Sequence, residues 1–136
     1  SARTEAHFAQ SGPRSWRMDL RLDGVPIEGS DVRILNRNGK WTHTGGELPA
    51  LPSEAPRFPE SRGETLERTI RQSITGSESN VRPTGRSWIP NEGALVPCEH
   101  FDVDYRDDGI RGVQRETWCV HPGTQEIISK NPRGRL

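Results

Sequence analysis

Large aliphatic side chains are scarce in this chain. Leu, Ile, Val and Phe together account for 26 of its 136 residues, under the roughly one-fifth level below which chains drift toward disorder. The mean hydropathy is −0.86. No apolar run approaches the roughly 18 residues of a membrane-crossing helix, so a transmembrane helix is excluded. The opening residues lack the basic and apolar pair of a signal peptide, and none is expected in them. Lysine is almost missing: the 19 basic residues are all Arg except Lys40 and Lys130. The nucleotide-binding glycine motifs, the nucleophile elbow G-x-S-x-G and the zinc-protease motif H-E-x-x-H are missing too. Only two cysteines, Cys98 and Cys119, are present.

Other features argue for a folded chain. The 19 acidic residues balance the 19 basic ones, and four Trp are present. Disordered chains usually combine low hydrophobicity with a high net charge. Length and composition therefore point to one small domain with a thin core and long irregular segments. Nucleic-acid binders are usually basic overall. Here the Arg residues are spread along a neutral chain, and they read as compositional bias more than as a binding surface.

Residues 1–14 show no apolar period and read as an N-terminal arm. Residues 15–136 read as the single domain. Within it, residues 15–45 form a hairpin region. Trp16, Met18, Leu20 and Leu22 alternate with Arg17, Asp19 and Arg21, the period of a half-buried strand. Asp23-Gly24 ends that strand. A second strand over about 31–37 leads into Asn38-Gly39, a strong hairpin signal. That turn sets Ile34 opposite His43 and Asn36 opposite Trp41. His43 then shares a face with Val32, Ile34 and Trp41 and reads as a packed core histidine, while His7 reads as exposed. Residues 46–63, with Pro49, Pro52, Pro56 and Pro59, form an extended connector. A helix is expected over 64–75. Ser61 and Glu64 have capping-box spacing, Leu66, Ile70 and Ile74 share one face, and Gly76 follows as a stop. Residues 75–93 read as a loop.

The last segment, 97–130, reads as a three-stranded meander. Asp108-Gly109 gives a two-residue turn, and Pro122-Gly123 gives a second turn before a strand over 125–129. With that first turn, Cys98 faces Cys119, Asp102 faces Arg115 and His100 faces Thr117. Phe101, Val103, Tyr105 and Trp118 take the other, buried face. The fold class is thus α+β, mostly β, with antiparallel hairpins, one short helix and long loops. The expected core packs Trp16, Met18, Leu20, Leu22, Phe101, Val103 and Tyr105 with Leu66, Ile70 and Ile74.

Two matching C-x-H triplets, Cys98-Glu99-His100 and Cys119-Val120-His121, put both cysteines and both histidines on one face of the hairpin. Two thiolates and two imidazoles make a closed tetrahedral zinc site. A structural zinc ion at Cys98, His100, Cys119 and His121 is therefore one expectation, and it implies a reducing compartment. The alternative is a Cys98–Cys119 disulfide, which implies a secreted or extracytoplasmic protein. Two free thiols are the third reading.

Long irregular Arg- and Pro-containing segments suit wrapping on a partner better than enclosing a substrate pocket. The expected function is a small non-enzymatic interaction module, effector-like and secreted or an accessory subunit of an assembly, with a protein partner. The alternative is a nuclease-like toxin that acts on RNA. In it His100, Asp102 and Arg115 would supply base, acid and phosphate clamp. The competing reading of those three residues is a solvated strand face with a cross-strand ion pair.

Overall fold

The computed structural model describes residues 3–48, 51–52, 55–76, 78–107 and 112–133. They are mostly strand, arranged in antiparallel sheets with one short helix, as the α+β, mostly β reading expected. The described residues fall into two compact units. One is built from residues of 1–58 and 87–96, the other from residues of 59–86 and 97–136. Each has its own apolar core.

In the first unit, β1 (Thr4–Gly12), β2 (Ser15–Leu22), β3 (Val25–Pro26), β4 (Val32–Arg37) and β5 (Lys40–Gly45) follow in sequence. The sheet order is β1-β2-β4-β5, with β3 paired to β2. The expected arm is therefore mostly strand: β1 pairs with β2 from Thr4↔Leu22 to Gly12↔Ser15. It lies at the edge of the sheet with nearly every side chain exposed. Backbone pairing holds it, so no burial period marks it in the sequence. Asn38 and Gly39 take φ of 54° and 79°, the pair of positive values a type I′ turn requires. The register places Ile34 opposite His43 and Asn36 opposite Trp41, as counted from the sequence. Asp23 and Gly24, at φ of 53° and 75°, form a similar turn into β3.

The core of this unit gathers Leu20, Leu22, Val25, Ile27, Phe58, Trp88 and Leu95. Trp88 is 1% exposed. Its Nε1 donates to the Leu22 carbonyl at 2.8 Å, and its ring meets Phe58 edge-on with centroids 5.2 Å apart. Buried Ser30 accepts from the Leu20 amide at 2.9 Å. The Phe58 amide donates to Asp23 Oδ2 at 2.8 Å, which ties down the end of the connector.

The second unit holds α1 (Gly63–Ser73), β8 (Gln114–Val120), β9 (Ile127–Pro132) and the larger parts of β6 (Ser79–Asn91) and β7 (Ala94–Tyr105), whose residues 87–96 belong to the first unit; the sheet order is β6-β7-β8-β9. The expected meander is β7-β8-β9, and β6 extends it over residues read as a loop. Pro83, Gly85 and Pro90 produced that reading. They are tolerated because β6 is the end strand of its sheet, where a missing amide donor need not break a ladder. Glu92 and Gly93, at φ of 49° and 81°, turn β6 into β7. The Asp108-Gly109 turn lies outside the described residues.

Leu66, Ile70 and Ile74 share the core with Val81, Phe101, Val103, Tyr105, Trp118 and Val120. The face expected to join them from β2 instead fills the first unit's core at Leu20 and Leu22. The capping box is not formed. Arg62 is the N-cap without a side-chain bond, because Ser61 Oγ is turned to Glu99 Oε1, 3.4 Å away. Ile74, not Gly76, is the C-cap. Gly76 is needed for another reason: a Cβ there would collide with the Arg106 carbonyl.

Tyr105 carries a pH-dependent part of this core. Its hydroxyl donates to Glu116 Oε1 at 2.6 Å, and Trp118 Nε1 donates to the same oxygen at 3.0 Å. Burial first, and then the Glu116 carboxylate, push the phenol well above its ordinary value of 10.0. The folded state therefore holds the phenolic proton more tightly than the unfolded chain. This stabilisation is complete below pH 10 and is lost as pH rises beyond it. The wild type should lose thermal stability above pH 10 faster than Tyr105→Phe. At neutral pH the variant should cost about 1 kcal/mol, the net worth of one hydrogen bond. Melting curves at neutral and alkaline pH check both. Parallel pH profiles for the two proteins would contradict the assignment.

Candidate functional site

The two C-x-H triplets lie on β7 and at the end of β8. Cys98 and Cys119 form a disulfide with α-carbons 5.5 Å apart. Of the three expected arrangements, the disulfide is the one adopted, and in this form neither sulfur is a thiolate ligand. The register differs from the expected one. His100, not Cys98, stands opposite Cys119, with Asp102 opposite Thr117 and Asp104 opposite Arg115. The offset is two residues, which preserves every face. Cys98, His100 and Cys119 still share a face, and the sulfurs meet diagonally. His100 Nδ1 lies 3.6 Å from Cys98 Sγ. His121 is spent on its own turn, its Nδ1 accepting from the amides of Gly123 at 3.0 Å and Thr124 at 3.1 Å. Among the described residues no group of three or more His, Cys, Asp or Glu is disposed to hold a metal.

The expected trio of His100, Asp102 and Arg115 shares this face, but Asp102 is drawn into other bonds. Thr117 Oγ1 donates to Asp102 Oδ1 at 3.2 Å. Arg133 and Arg82 pair with Oδ2 at 3.2 and 3.5 Å. Arg133 also pairs with Asp104, the residue opposite Arg115. The carboxylates are held by a network of cations and a hydroxyl along the strands, the ordinary chemistry of a sheet face. The cross-strand Asp102–Arg115 pairing is replaced by Asp102–Thr117.

A second site emerges in the first unit, and sequence reading saw only part of it. The ladder places Phe8 opposite Met18, Trp16 opposite Ile34 and Trp41 opposite Asn36, all on one face of the sheet. That face is buried at Leu20 and Leu22 but open at its other end. Phe8 is 62% and Trp41 55% exposed. Phe8, Trp16, Ile34 and Trp41, one from each of four strands, line a groove of about 420 Å³. The rings of Trp16 and Trp41 meet edge-on with centroids 6.5 Å apart. His43, expected as a core histidine, is exposed beside them and bonds the Gly46 carbonyl through Nε2 at 2.7 Å.

Charge is sorted between the two faces of this sheet. The groove side of β1, β2, β4 and β5 carries no Asp, Glu, Lys or Arg, by the pairing register. The opposite side carries Arg17, Asp19, Arg21 and Arg33. There Arg21 pairs with Asp19 at 3.6 Å, and Arg17 pairs with Asp31 at 3.5 Å. Phe8 escapes a reading of the sequence because β1, exposed at nearly every side chain, carries no apolar period. Trp41 beside Val32 and Ile34 was the available signal.

No protein-family model matches the chain. No helix among the described residues is long and apolar enough to cross a membrane. The disulfide is compatible with an oxidising, extracytoplasmic setting.

Proposed function

We propose that this chain is a small non-enzymatic interaction module, extracytoplasmic and effector-like or an accessory subunit, that binds a protein partner through the aromatic face of its first sheet. The observation that carries this reading is the open groove of Phe8, Trp16, Ile34 and Trp41. Contiguous exposed apolar surface marks interaction sites, and Trp is prominent among residues that dominate binding energy. Supporting it, the groove lining presents aromatic and aliphatic surface, whereas phosphate or sugar ligands need convergent polar donors. The one carboxylate of the competing catalytic trio, Asp102, already has partners within the fold.

Two measurements test the reading. Selection of displayed peptides on the oxidised protein should enrich apolar, uncharged sequences. Trp41→Ala should weaken their binding at least about tenfold, a loss of about 1.4 kcal/mol. Incubation with RNA and DNA, with and without EDTA, should leave the nucleic acid intact. Cleavage by the wild type that disappears in His100→Ala would replace the module by the nuclease. Selected binders indifferent to Trp41→Ala would remove the aromatic face from the proposal.

A further inference from the structure

We infer that the partner engages this module as an added strand: an uncharged, apolar, extended segment pairs with the open edge of β5 and lays a side chain into the aromatic groove. The inference rests on the aromatic face being the binding surface and adds the mode and chemistry of the occupant. Four observations support it. First, β5 is the end strand of its sheet, so one row of its backbone donors and acceptors faces outward. Edge strands are normally blunted with Pro or charge. Over Lys40–Gly45 only Lys40 is charged and there is no Pro, and the register shift opposite Arg33 and Ile34 is confined to the Gly45 end. Second, Trp41, Thr42 and Thr44, three of the six residues of β5, are strong strand formers, whereas the other edge, β1, has Thr4 and Phe8 among nine. Third, the Asn38-Gly39 turn fixes β5 against β4 and presents a pre-ordered template. Fourth, the adjoining face carries no formal charge, which disfavours an acidic or basic segment, since a charge set on it would lose water and gain no partner.

Added strands derive affinity from the backbone ladder and selectivity from alternate side chains. Here the selecting position is the groove beside Trp41. A second copy of the chain fits less well. A two-fold interface sets the same surface against itself, so groove would meet groove and neither would be filled. A single inserting side chain fills it.

The test uses the oxidised full chain, isotope-labelled, and an end-capped peptide of alternating Thr and Leu, about eight residues long. Saturable amide shifts are expected over residues 40–45. Methylating alternate backbone nitrogens of the peptide, or Trp41→Ala in the protein, should each weaken binding at least about tenfold. Replacing Leu by Asp in the peptide should abolish it. If the methylated peptide binds as well as the parent while Trp41→Ala still weakens it, the strand-addition mode is wrong and the aromatic-face reading survives. Shifts confined to residues 4–12, or no saturable response, also overturn the inference. Sedimentation of the unliganded chain as a dimer that Trp41→Ala dissociates would assign the face to a second copy and overturn it as well.

Discussion

Trp88→Ala should destabilise the first unit by about 3–5 kcal/mol, the cost of removing a large buried aromatic from a close-packed core. The ring is 1% exposed, packs edge-on against Phe58 and donates to the Leu22 carbonyl. Truncation leaves a cavity and also strips that carbonyl of a buried donor. With few large aliphatics in the core, little can collapse into the gap. Trp41→Ala is the matched control. It removes the same side chain from a position 55% exposed and should cost about 0.5–1.5 kcal/mol, the worth of its edge contact with Trp16. Urea unfolding of the two variants checks the contrast. Equal losses would mean that the buried and open ends of this sheet face are wrongly assigned.

Cys98→Ser with Cys119→Ser should cost about 3 kcal/mol by the loop-closure relation, for partners 21 residues apart in sequence. The disulfide fastens β7 to β8 on the face away from the α1 core. Without it, that face keeps the ladder and the Asp102–Arg133 network. His100→Ala should cost about 1 kcal/mol, because its half-buried ring lies against Cys98 Sγ. His121→Ala should cost about 1 kcal/mol, because its ring accepts from two turn amides. A zinc site would invert this order and make both histidines indispensable. Intact-mass measurement separates the two. The disulfide lowers the mass by two thiol hydrogens, whereas a zinc adduct lost on acidification would contradict it.

What could be read from the sequence was what burial or turn chemistry writes into it. The alternation of Trp16, Met18, Leu20 and Leu22 marks β2, and the spacing of Leu66, Ile70 and Ile74 marks α1. Asn38-Gly39 specifies its hairpin closely enough to give the β4–β5 register by counting. Elements whose side chains face water on both sides leave no such trace, which is why β1 was read as an arm. β6 was hidden by Pro83, Gly85 and Pro90, residues that an end strand accepts and a central strand does not. Its turn, Glu92-Gly93, is a weaker signal than Asn-Gly. The β7–β8 register differs by two because a turn at Asp108-Gly109 centres the hairpin one residue earlier than the pair Tyr105↔Gln114 does. An even slip exchanges neighbours but not faces, so the cysteines could still be recognised as partners. The aromatic groove was beyond sequence reading, since it needs Phe8 from a strand that was not seen.

The most direct measurement maps a selected peptide binder by hydrogen exchange on the oxidised chain. Protection should appear in the segments that hold Phe8, Trp16, Ile34 and Trp41, and should be lost in Trp41→Ala. Protection centred instead on the strand face of His100, Asp102 and Arg115, with the aromatic groove unchanged, would contradict the aromatic interaction surface and return the charged face of the second unit to first place.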